Sequence, residues 1–506
     1  MMKLNDQILR CRKELERHPP GDTSRGTSLF NLADFLGVRF LETNDIGDLK
    51  EAIGLHRTAL DLRPEGHPDR HWSLHWLAWC WGEQHRRQGT LSDLEGAIAL
   101  GRAALDLRPE GDPGRSNSLH NLATYLYDWY NKLASLADLE EAVILGRSAL
   151  ELRSLGHSGR AGTLYNIGLY LRCRFLKLGA TADLDEALSL HRSALELRPE
   201  GHPDRSDSLH NLATCFSDRY NKQASIADLE EAITLSRASL ALCPPGHSGR
   251  HGILYNIGLY LRRRFLKLGA TADLDEALAL HRSALELRPE GHPDRSDSLH
   301  NLATCFSDRY NKQAFIADLE EAITLSRASL VLCPPGHSDR ALTLDNLGSG
   351  LRCRFLKLGA TADIDEAFSL HRSALELRPE GHPYRSDSLH NLTLCFSDRY
   401  DKHASVADIE EAITLGRAAL KLRSPGHSDC AWTLNNPGLD LRSRFLNLDA
   451  TAGLDEAFSL HLSAPELRPE GHPDRSNSLH DLALYLSDRY DKQGSIADLE
   501  EAITLG

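Results

Sequence analysis

Nine histidines recur along the chain at multiples of 45 residues, a pattern that raises the question of repeated metal sites. They are His67, His157, His202, His247, His292, His337, His382, His427 and His472. Neighbouring helical units in a stack lie roughly 10 Å apart, whereas a nitrogen ligand lies about 2.1 Å from its zinc ion. Histidines of different repeats therefore cannot share an ion. We predict that each bonds the backbone of its own loop and that the chain holds no metal.

Cysteines and carboxylates are frequent, but their spacing offers no catalytic pattern. Cys215, Cys305 and Cys395 occupy equivalent places in different repeats, which favours packing residues over disulfides or metal ligands. The sequence contains no phosphate-binding loop, His-Glu-x-x-His, Cys-x-x-Cys or nucleophile elbow. We therefore predict that the chain is not an enzyme and has no catalytic residue and no cofactor.

Charge and hydropathy exclude two further classes of partner. A formal net charge of −14 and a pI near 6.0 disfavour nucleic acid and anionic membrane as the main partner. The N-terminus, from Met1 to Asp6, is polar where a signal peptide needs an apolar run, and no stretch of 18 apolar residues follows. We predict a cytoplasmic protein that binds neither nucleic acid nor membrane.

The elements that must position these residues repeat with the same period. An Asp-Leu-Glu-Glu-Ala type segment recurs at each step, with Gly453 once in place of the aspartate. The aspartates are Asp48, Asp93, Asp138, Asp183, Asp228, Asp273, Asp318, Asp363, Asp408 and Asp498. A period of this size predicts a helical solenoid, in which each repeat buries its apolar face on its neighbours. Two types of repeat alternate, and residues 183–272 and 273–362 differ at only 12 of 90 positions.

Each repeat contains a first helix with one apolar stripe. Leu209, Leu212, Ala213, Phe216 and Tyr220 follow the spacing i, i+3, i+4, i+7 and i+11, which places them on one side of an α-helix. Every repeat therefore has an apolar surface for its own second helix and for the next repeat.

A second helix follows in each repeat. The recurring aspartate, with a glutamate three residues later, predicts a capping box in which the aspartate accepts backbone N–H groups. A Pro and Gly pair then ends the helix, and the Asp and Ser of the following loop are predicted to cap the next first helix. Pro437 and Pro465 fall inside helices, which predicts local distortion over residues 430–467.

The order of small and aromatic residues resembles a known repeat family. Leu212-Ala213 and Phe216 in a first helix, with Ala194 and Pro199 in a second, are similar to the tetratricopeptide repeat. That family places Leu-Gly, an aromatic, two alanines and a proline in this order over a shorter unit of about 34 residues. The resemblance implies an all-α fold, a right-handed α-solenoid or superhelix of helix pairs.

The loops and second helices also resemble the long tetratricopeptide arrays of fungi, which often accompany a caspase-like CHAT domain. Two functions are implied. One is a non-catalytic scaffold that binds a peptide or protein segment on its concave face. The other is a sensor or autoregulatory array of a larger protein whose CHAT-like peptidase lies outside this chain. A purely structural spacer is a third interpretation.

The period divides the chain into a single solenoid domain of a leading helix and eleven repeats. The leading unpaired helix occupies residues 1–26. The repeats occupy residues 27–71, 72–116, 117–161, 162–206, 207–251, 252–296, 297–341, 342–386, 387–431, 432–476 and a truncated 477–506.

In tetratricopeptide arrays the first helices line the concave groove, so the resemblance places one recurring asparagine there. It occurs as Asn31, Asn121, Asn166, Asn211, Asn256, Asn301, Asn346, Asn391 and Asn436. In the similar arrays of kinesin light chains, an asparagine just before the Leu-Gly pair contacts bound peptide. An amide both donates and accepts, which suits a peptide backbone. The alternative, that each asparagine bonds the adjacent helix, stays open.

Alternate repeats also carry an arginine one turn further along the first helix. These are Arg172, Arg262, Arg352 and Arg442, and the intervening repeats carry Asp218, Asp308 and Asp398 nearby. The arginines form either an ion ladder between repeats or a basic stripe for an acidic ligand.

Four of the six tryptophans fall within residues 72–81. At 100° per residue, Trp72, Trp76 and Trp79 point to the groove side and Trp81 points to the core. Trp76 takes the place of the recurring asparagine. Large aromatic side chains in a groove are typical binding anchors. Alternatively, these three pack against the neighbouring first helices and tighten the stack.

Overall fold

The computed structural model describes residues 2–423, 430–448, 452–468, 470 and 475–505. Within these residues it contains 23 α-helices and no strand. Helix α1 (Met2–Arg17) stands alone, and eleven successive pairs of a first and a second helix follow. None of the described helices combines the length and the apolar character that crossing a bilayer requires. The predicted all-α solenoid of helix pairs is confirmed.

The two helices of each repeat have regular lengths. The first helices are α2 (Arg25–Thr43), α4 (Arg70–Gln88), α6 (Arg115–Leu133), α8 (Arg160–Leu178), α10 (Arg205–Gln223), α12 (Arg250–Leu268), α14 (Arg295–Gln313), α16 (Arg340–Leu358), α18 (Arg385–His403), α20 (Cys430–Leu448) and α22 (Arg475–Gln493). The second helices are α3 (Ile46–Asp61), α5 (Leu91–Asp106), α7 (Leu136–Glu151), α9 (Thr181–Glu196), α11 (Ile226–Leu242), α13 (Thr271–Glu286), α15 (Ile316–Val331), α17 (Thr361–Glu376), α19 (Val406–Leu422), α21 (Leu454–Glu466) and α23 (Ile496–Leu505).

The chain divides into two compact units, Met1–Ile253 and Leu254–Gly506. Within each unit, the first helix of a repeat packs most closely against its own second helix, and the second helix packs against the next first helix. Successive first helices also contact one another. Their remaining accessible side forms one surface in each unit, which we call the first-helix face.

The apolar stripe predicted for the first helix forms the core of the repeat. Leu209, Leu212, Ala213 and Phe216 are buried, and Tyr220 is half-buried. Burial of such side chains is the main stabilising contribution, about 25 cal/mol per Å² of apolar surface.

A glycine and a buried histidine make the helix pair unusually close in alternate repeats. A Cβ atom added to Gly258 of α12 would lie 2.7 Å from Nε2 of His281 on α13. The same distance is found at Gly168 with His191 and at Gly348 with His371. These repeats therefore place a small residue on the first helix against a large one on the second.

The recurring aspartate does not cap its helix, so the capping-box interpretation is wrong. Asp228 is the third residue of α11, whose N-cap is Ser225. Its two carboxylate oxygens accept from Nε and Nη2 of Arg219 at 2.9 and 2.6 Å. The pairs built in this way are Arg39–Asp48, Arg174–Asp183, Arg219–Asp228, Arg264–Asp273, Arg309–Asp318, Arg354–Asp363, Arg399–Asp408 and Arg489–Asp498. The aspartate thus joins the end of one helix to the start of the next.

A buried arginine and the recurring histidine hold each loop between repeats. Arg198 donates to the carbonyl oxygen of Asp204 at 3.2 Å and to Oγ of Ser208 at 2.7 Å. Nδ1 of His202 accepts the backbone N–H of Asp204 at 3.1 Å. The same histidine bond recurs at His67, His157, His247, His292, His337 and His382. The predicted backbone role of these histidines is confirmed, while His427 and His472 lie outside the described residues.

The loop aspartate does not use its side chain as predicted. Asp204 is the N-cap residue of α10, but its carboxylate makes no capping hydrogen bond. The histidine bond to its backbone N–H and the arginine bond to its carbonyl oxygen hold it in place instead.

The repeat with the two internal prolines departs from the others at its second helix. Helix α20 continues through Pro437, whereas α21 begins only at Leu454 and has 13 residues. Its N-cap is Gly453, which has a φ of 93°. The predicted distortion therefore shortens the start of α21. Residues 449–451 lie outside the described part of the chain.

Asp440 in α20 is buried, and we expect its replacement to stabilise the protein. Oδ1 accepts from Oγ of Ser397 at 2.7 Å, whereas Oδ2 has no partner among the described residues. Burial raises the pKa of Asp440 from 3.8 to about 7. Because the folded pKa is the higher one, ionisation costs stability as the pH rises between these two values.

Asp440→Asn removes this cost without changing the shape of the side chain. At about pH 8 we expect the variant to be more stable by on the order of 2–4 kcal/mol, and at about pH 4 we expect little difference. Thermal unfolding of both proteins at both pH values, followed by circular dichroism, measures the effect. Equal melting temperatures at the higher pH would show that the buried carboxylate carries no such cost.

Candidate binding face

The predicted asparagines lie along the first-helix face with different degrees of exposure. Asn31 is exposed and Asn301 is buried. The half-buried ones are Asn121, Asn166, Asn211, Asn256, Asn346, Asn391 and Asn436. Asn121, Asn346 and Asn391 line cavities, which makes them the members of this set best placed for a ligand.

Several of these asparagines bond the preceding first helix. Nδ2 of Asn211 donates to Oη of Tyr165 at 2.7 Å, and Asn301 makes the same bond to Tyr255 at 2.8 Å. Asn346 contacts the ring of His300 at 3.2 Å. These contacts fit the interpretation in which the amide holds adjacent repeats together, and ligand contact by the asparagines stays a prediction.

The recurring arginines are paired across repeats. Nε of Arg172 lies 2.5 Å from Oδ2 of Asp218, and Nε of Arg262 lies 2.6 Å from Oδ2 of Asp308. Arg352 with Asp398 and Arg442 with Asp488 repeat the arrangement. Burial alone would lower the pKa of Arg172, but the charge of Asp218 raises it above its ordinary value. These contacts are those of an ion ladder, and partner binding by the arginines stays a prediction.

The three predicted tryptophans meet on α4 in different environments. The rings of Trp76 and Trp79 pack edge to face with centroids 5.6 Å apart. Trp79 also packs against Phe40 of α2 at 6.5 Å, so it helps to join two repeats. Trp72 is 37% exposed, and Cζ of Arg108 lies 4.4 Å from its ring. Trp76 therefore has the smallest evident part in holding the stack.

Trp81 differs from the other three as predicted. It packs against the buried cluster that contains Ala78 and Leu94. A methyl group at Gly96 of the neighbouring second helix would overlap its ring. Trp81 is therefore partly buried against the core.

The other three tryptophans line one cavity of about 400 Å³ in the Met1–Ile253 unit. Three successive first helices, α4, α6 and α8, contribute to its wall together with the loop before α10. Its lining includes Trp72, His75, Trp76, Trp79, Asn117, His120, Asn121, Arg153, Arg198, His202 and Asp204. A groove that crosses several repeats is the form of site that suits an extended segment.

Two histidines of the cavity wall, His75 and His120, are neutral near pH 7. Burial lowers the pKa of His75 to about 3 and that of His120 to about 4. Burial also lowers the pKa of Arg153, whose Nη2 donates to Oδ1 of Asn117 at 2.7 Å. The site therefore combines aromatic surface and amide groups with the guanidinium groups of Arg153 and Arg198 and the carboxylate of Asp204.

Sequence reasoning missed the arginines and the histidines of this wall. Arg153 and Arg198 lie two residues after the ends of the second helices α7 and α9, and both are buried. Their signal is the Leu-Arg dipeptide that closes many second helices. His75 and His120 share one position of the first helix, directly before Trp76 in one repeat and Asn121 in the next.

Comparison with known proteins gives a family and several similar structures. The family model for the tetratricopeptide repeat matches residues 160–204, 205–247, 252–294 and 476–506. No curated protein matches the chain. A human IFIT1 dimer with m7Gppp-AAAA is similar, with 15% identity over 99% of this chain and 94% of that chain and a TM-score of 0.45.

Two further solved structures cover about half of this chain. One is BtubC from P. vanneervenii, with 22% identity over 48% of this chain and 94% of that chain and a TM-score of 0.34. The other is a putative kinesin light chain of Podosopora anserina with nearly identical TPR-like repeats. It shows 19% identity over 44% of this chain and 100% of that chain, and its TM-score is 0.33.

The family match and the fold agree with each other. The matched segments 160–204, 205–247 and 252–294 each begin within two residues of the start of a first helix. The same helix pair recurs at 45-residue steps through the described residues. Stacked repeats of this kind act as scaffolds for protein interaction. The family model thus assigns four segments of the chain to the tetratricopeptide repeat, and the same helix pair recurs through the described residues outside them.

Proposed function

We propose that the first-helix face of the Met1–Ile253 unit binds an extended peptide or protein segment. The carrying observation is the cavity in which Trp72 and Trp76 lie beside Asn117 and Asn121. Amide groups there can pair with the backbone of a segment that crosses the repeats. The aromatic surface takes one apolar side chain of that segment.

Trp76 is proposed as the main anchor. Buried tryptophans are frequent hot spots of protein interfaces, and each can bury 150–250 Å². Trp76 replaces the asparagine found at this place in most repeats, so the chain itself supplies the matched substitution, Trp76→Asn. Trp79→Ala is a poorer test because Trp79 packs against Phe40.

Trp76→Asn is expected to weaken peptide binding by about tenfold or more, because it removes the aromatic anchor while keeping a residue that the fold accepts. Peptides are first selected from a random library displayed on phage against the intact array. Their affinities for wild type and variant are then measured by fluorescence anisotropy. Circular dichroism confirms that helicity is unchanged.

Ile144→Ala serves as the control. Ile144 is 62% exposed on the second helix α7, away from the first-helix face, so its loss should leave every affinity within about twofold. Selected peptides that bind Trp76→Asn as tightly as wild type would remove the anchor from consideration.

Two interpretations of the sequence remain part of the proposal: a protein rather than a nucleic acid as the partner, and a regulatory array as the alternative function. The formal net charge of −14 favours a protein partner over RNA, and single-stranded RNA at about 0.15 M ionic strength is the competing ligand to include. The regulatory role beside a CHAT-like peptidase is the alternative function. Reading the gene downstream of this chain tests it directly.

A further inference from the structure

The two nearly identical 90-residue segments differ mainly in one short region. Of the 12 differences between residues 183–272 and 273–362, nine fall between 249 and 263 in the first segment and between 339 and 353 in the second. This region contains most of helix α12 in one case and of α16 in the other. Two of the changes replace Tyr255 by Asp345 and Tyr260 by Gly350. Helix α16 therefore lacks two large side chains that α12 has, while the rest of its repeat is almost identical to that of α12.

The contacts of Tyr255 show how the first of these two tyrosines is held in the repeat that has it. Cζ of Arg288 lies 4.9 Å from the ring centroid, and His281 packs edge to face at 5.6 Å. The phenol oxygen accepts from Nδ2 of Asn301 at 2.8 Å. Tyr165 repeats these contacts with Arg198, His191 and Asn211. The surroundings thus form a socket that holds a phenol by stacking and by one amide hydrogen bond.

At Asp345 the partners of the phenol remain, but the ring is missing. The equivalents of Arg288, His281 and Asn301 are Arg378, His371 and Asn391. The short carboxylate points inward: Oδ1 is 2.8 Å from Nδ1 of His371, and Oδ2 accepts from Arg378 and, at 3.1 Å, from Oγ of Ser388. Asp345 is 5% exposed, and both of its carboxylate oxygens are occupied by these partners.

A cavity of about 670 Å³ lies at this position in the Leu254–Gly506 unit. Asp345 and Arg378 contribute to its lining, Asn346 and Asn391 provide amides, and Leu342 provides apolar surface. Tyr384 stands at its edge with 59% exposure, and Cζ of Arg378 lies 5.9 Å from its ring. The equivalent residues of the sister repeats are Asp204 and Asp294, so this aromatic wall is also particular to the altered repeat.

We propose that this cavity binds a phenol ring from outside the array, supplied by a tyrosine side chain of a protein partner. The ring would stack on the Arg378 guanidinium, and its hydroxyl would accept from Asn391, as the internal tyrosines do in the sister repeats. A phenol fits better than a cationic group because two of the three carboxylates in the lining are already paired, Asp345 with Arg378 and Asp387 with Arg423. Stacking of a guanidinium on an aromatic ring contributes more when the pair is desolvated.

This proposal depends on the proposed scaffold function in one respect only, which is that a protein partner supplies the ring. The first test therefore uses 4-methylphenol, which has the shape of the tyrosine side chain, and needs no partner. Saturation-transfer difference NMR with the full chain measures its affinity, and butylamine serves as the cationic competitor of similar length. Binding of 4-methylphenol is expected, and preferential binding of butylamine would overturn the assignment.

Asp345→Tyr refills the socket with the residue of the sister repeats. The variant is expected to keep its helicity and to bind 4-methylphenol at least fivefold more weakly. Undiminished binding would place the ligand elsewhere and overturn the proposal. Gly350→Tyr is the matched control, because it restores the second ring in another cavity of about 180 Å³, which shares only Asn346 with the first, and it should leave the affinity unchanged.

Tyr384→Asp provides a variant that does not touch the buried carboxylate. Tyr384 is largely exposed, so the fold should tolerate its replacement by the aspartate of the sister repeats. We expect at least a threefold loss of affinity for 4-methylphenol. Unchanged affinity in Tyr384→Asp would likewise overturn the socket. The tests of Trp76 remain independent of this result, because Trp76 lies in the other unit.

Discussion

Acidification to about pH 5 is expected to destabilise the array by several kcal/mol, because buried histidines must take up protons. Burial, reinforced by nearby arginine charges, lowers the pKa of His56, His191 and His281 to about 3. The unfolded chain titrates near 6.5. Since the folded pKa is the lower one, the stabilising effect is complete above pH 6.5 and is lost as the pH falls toward 3.

The free energy of unfolding is expected to change steeply with pH. Each of these histidines contributes roughly 1.4 kcal/mol per pH unit between the two pKa values, as an order of magnitude. Neither ring nitrogen of His191 or His281 has a hydrogen-bond partner among the described residues. A protonated ring would therefore hold a buried charge with two unsatisfied N–H groups. The ring must leave its site before it can be hydrated.

Urea unfolding at about pH 7.5 and about pH 5 measures the effect through the change in midpoint. His281→Ser is the matched variant, since the next repeat carries Ser326 at the equivalent position. It should reduce the difference between the two midpoints. Equal pH dependence in the variant and the wild type would show that His281 is not a source of the acid sensitivity.

Gly258→Ala is the second substitution for which we expect a large effect. The new methyl group would lie 2.7 Å from Nε2 of His281, and the buried ring has little room to move. Overpacking of this kind costs about 1–3 kcal/mol. The higher helix propensity of alanine offsets at most about 1 kcal/mol of it. We therefore expect a net loss of stability.

The second change, His281→Ser, should reverse this loss. The following repeat combines Ala303 with Ser326 at the same two positions, so the pair of substitutions reproduces a combination that the fold already contains. The double variant should be more stable than the sum of the single effects allows. A double-mutant cycle in urea at about pH 7.5, where the histidines are neutral in both states, isolates the coupling. Strict additivity would contradict the proposed clash.

The helix pairs were predictable because one period of 45 residues fixes every element at once. The role of the recurring aspartate could not be predicted in this way. An aspartate near a helix start is typical of a cap, yet Asp228 is fixed by Arg219, nine residues earlier. The arginine recurs with the aspartate in the sequence, so the signal was present. Helix propensity alone does not contain it, because the two side chains meet only after the loop has folded.

The side of the helix on which the candidate site lies could be predicted from the sequence, but the contacts that its residues make could not. Helical angles placed Trp72, Trp76 and Trp79 on one side of α4, and all three line the same cavity. The angles could not show that Trp79 also reaches Phe40, or that Asn211 reaches Tyr165. Such contacts depend on the rotation between neighbouring repeats. That rotation is set by packing and leaves no mark in the pattern of one helix.

The alternation of the ion ladder limits how such a gene can change its length. Arg172 meets Asp218 in the following repeat, and Arg262 meets Asp308. The repeats that supply the arginines have Cys173, Arg263 and Cys353 where their neighbours have the aspartate. The pairs Arg352–Asp398 and Arg442–Asp488 continue the alternation.

Unequal recombination that gained or lost one repeat would therefore set two repeats of the same type side by side, so that an arginine or an aspartate would lie without its counterpart. Gain or loss of two repeats would keep every pair matched. Alleles of this gene are thus expected to differ in steps of 90 residues, twice the structural period.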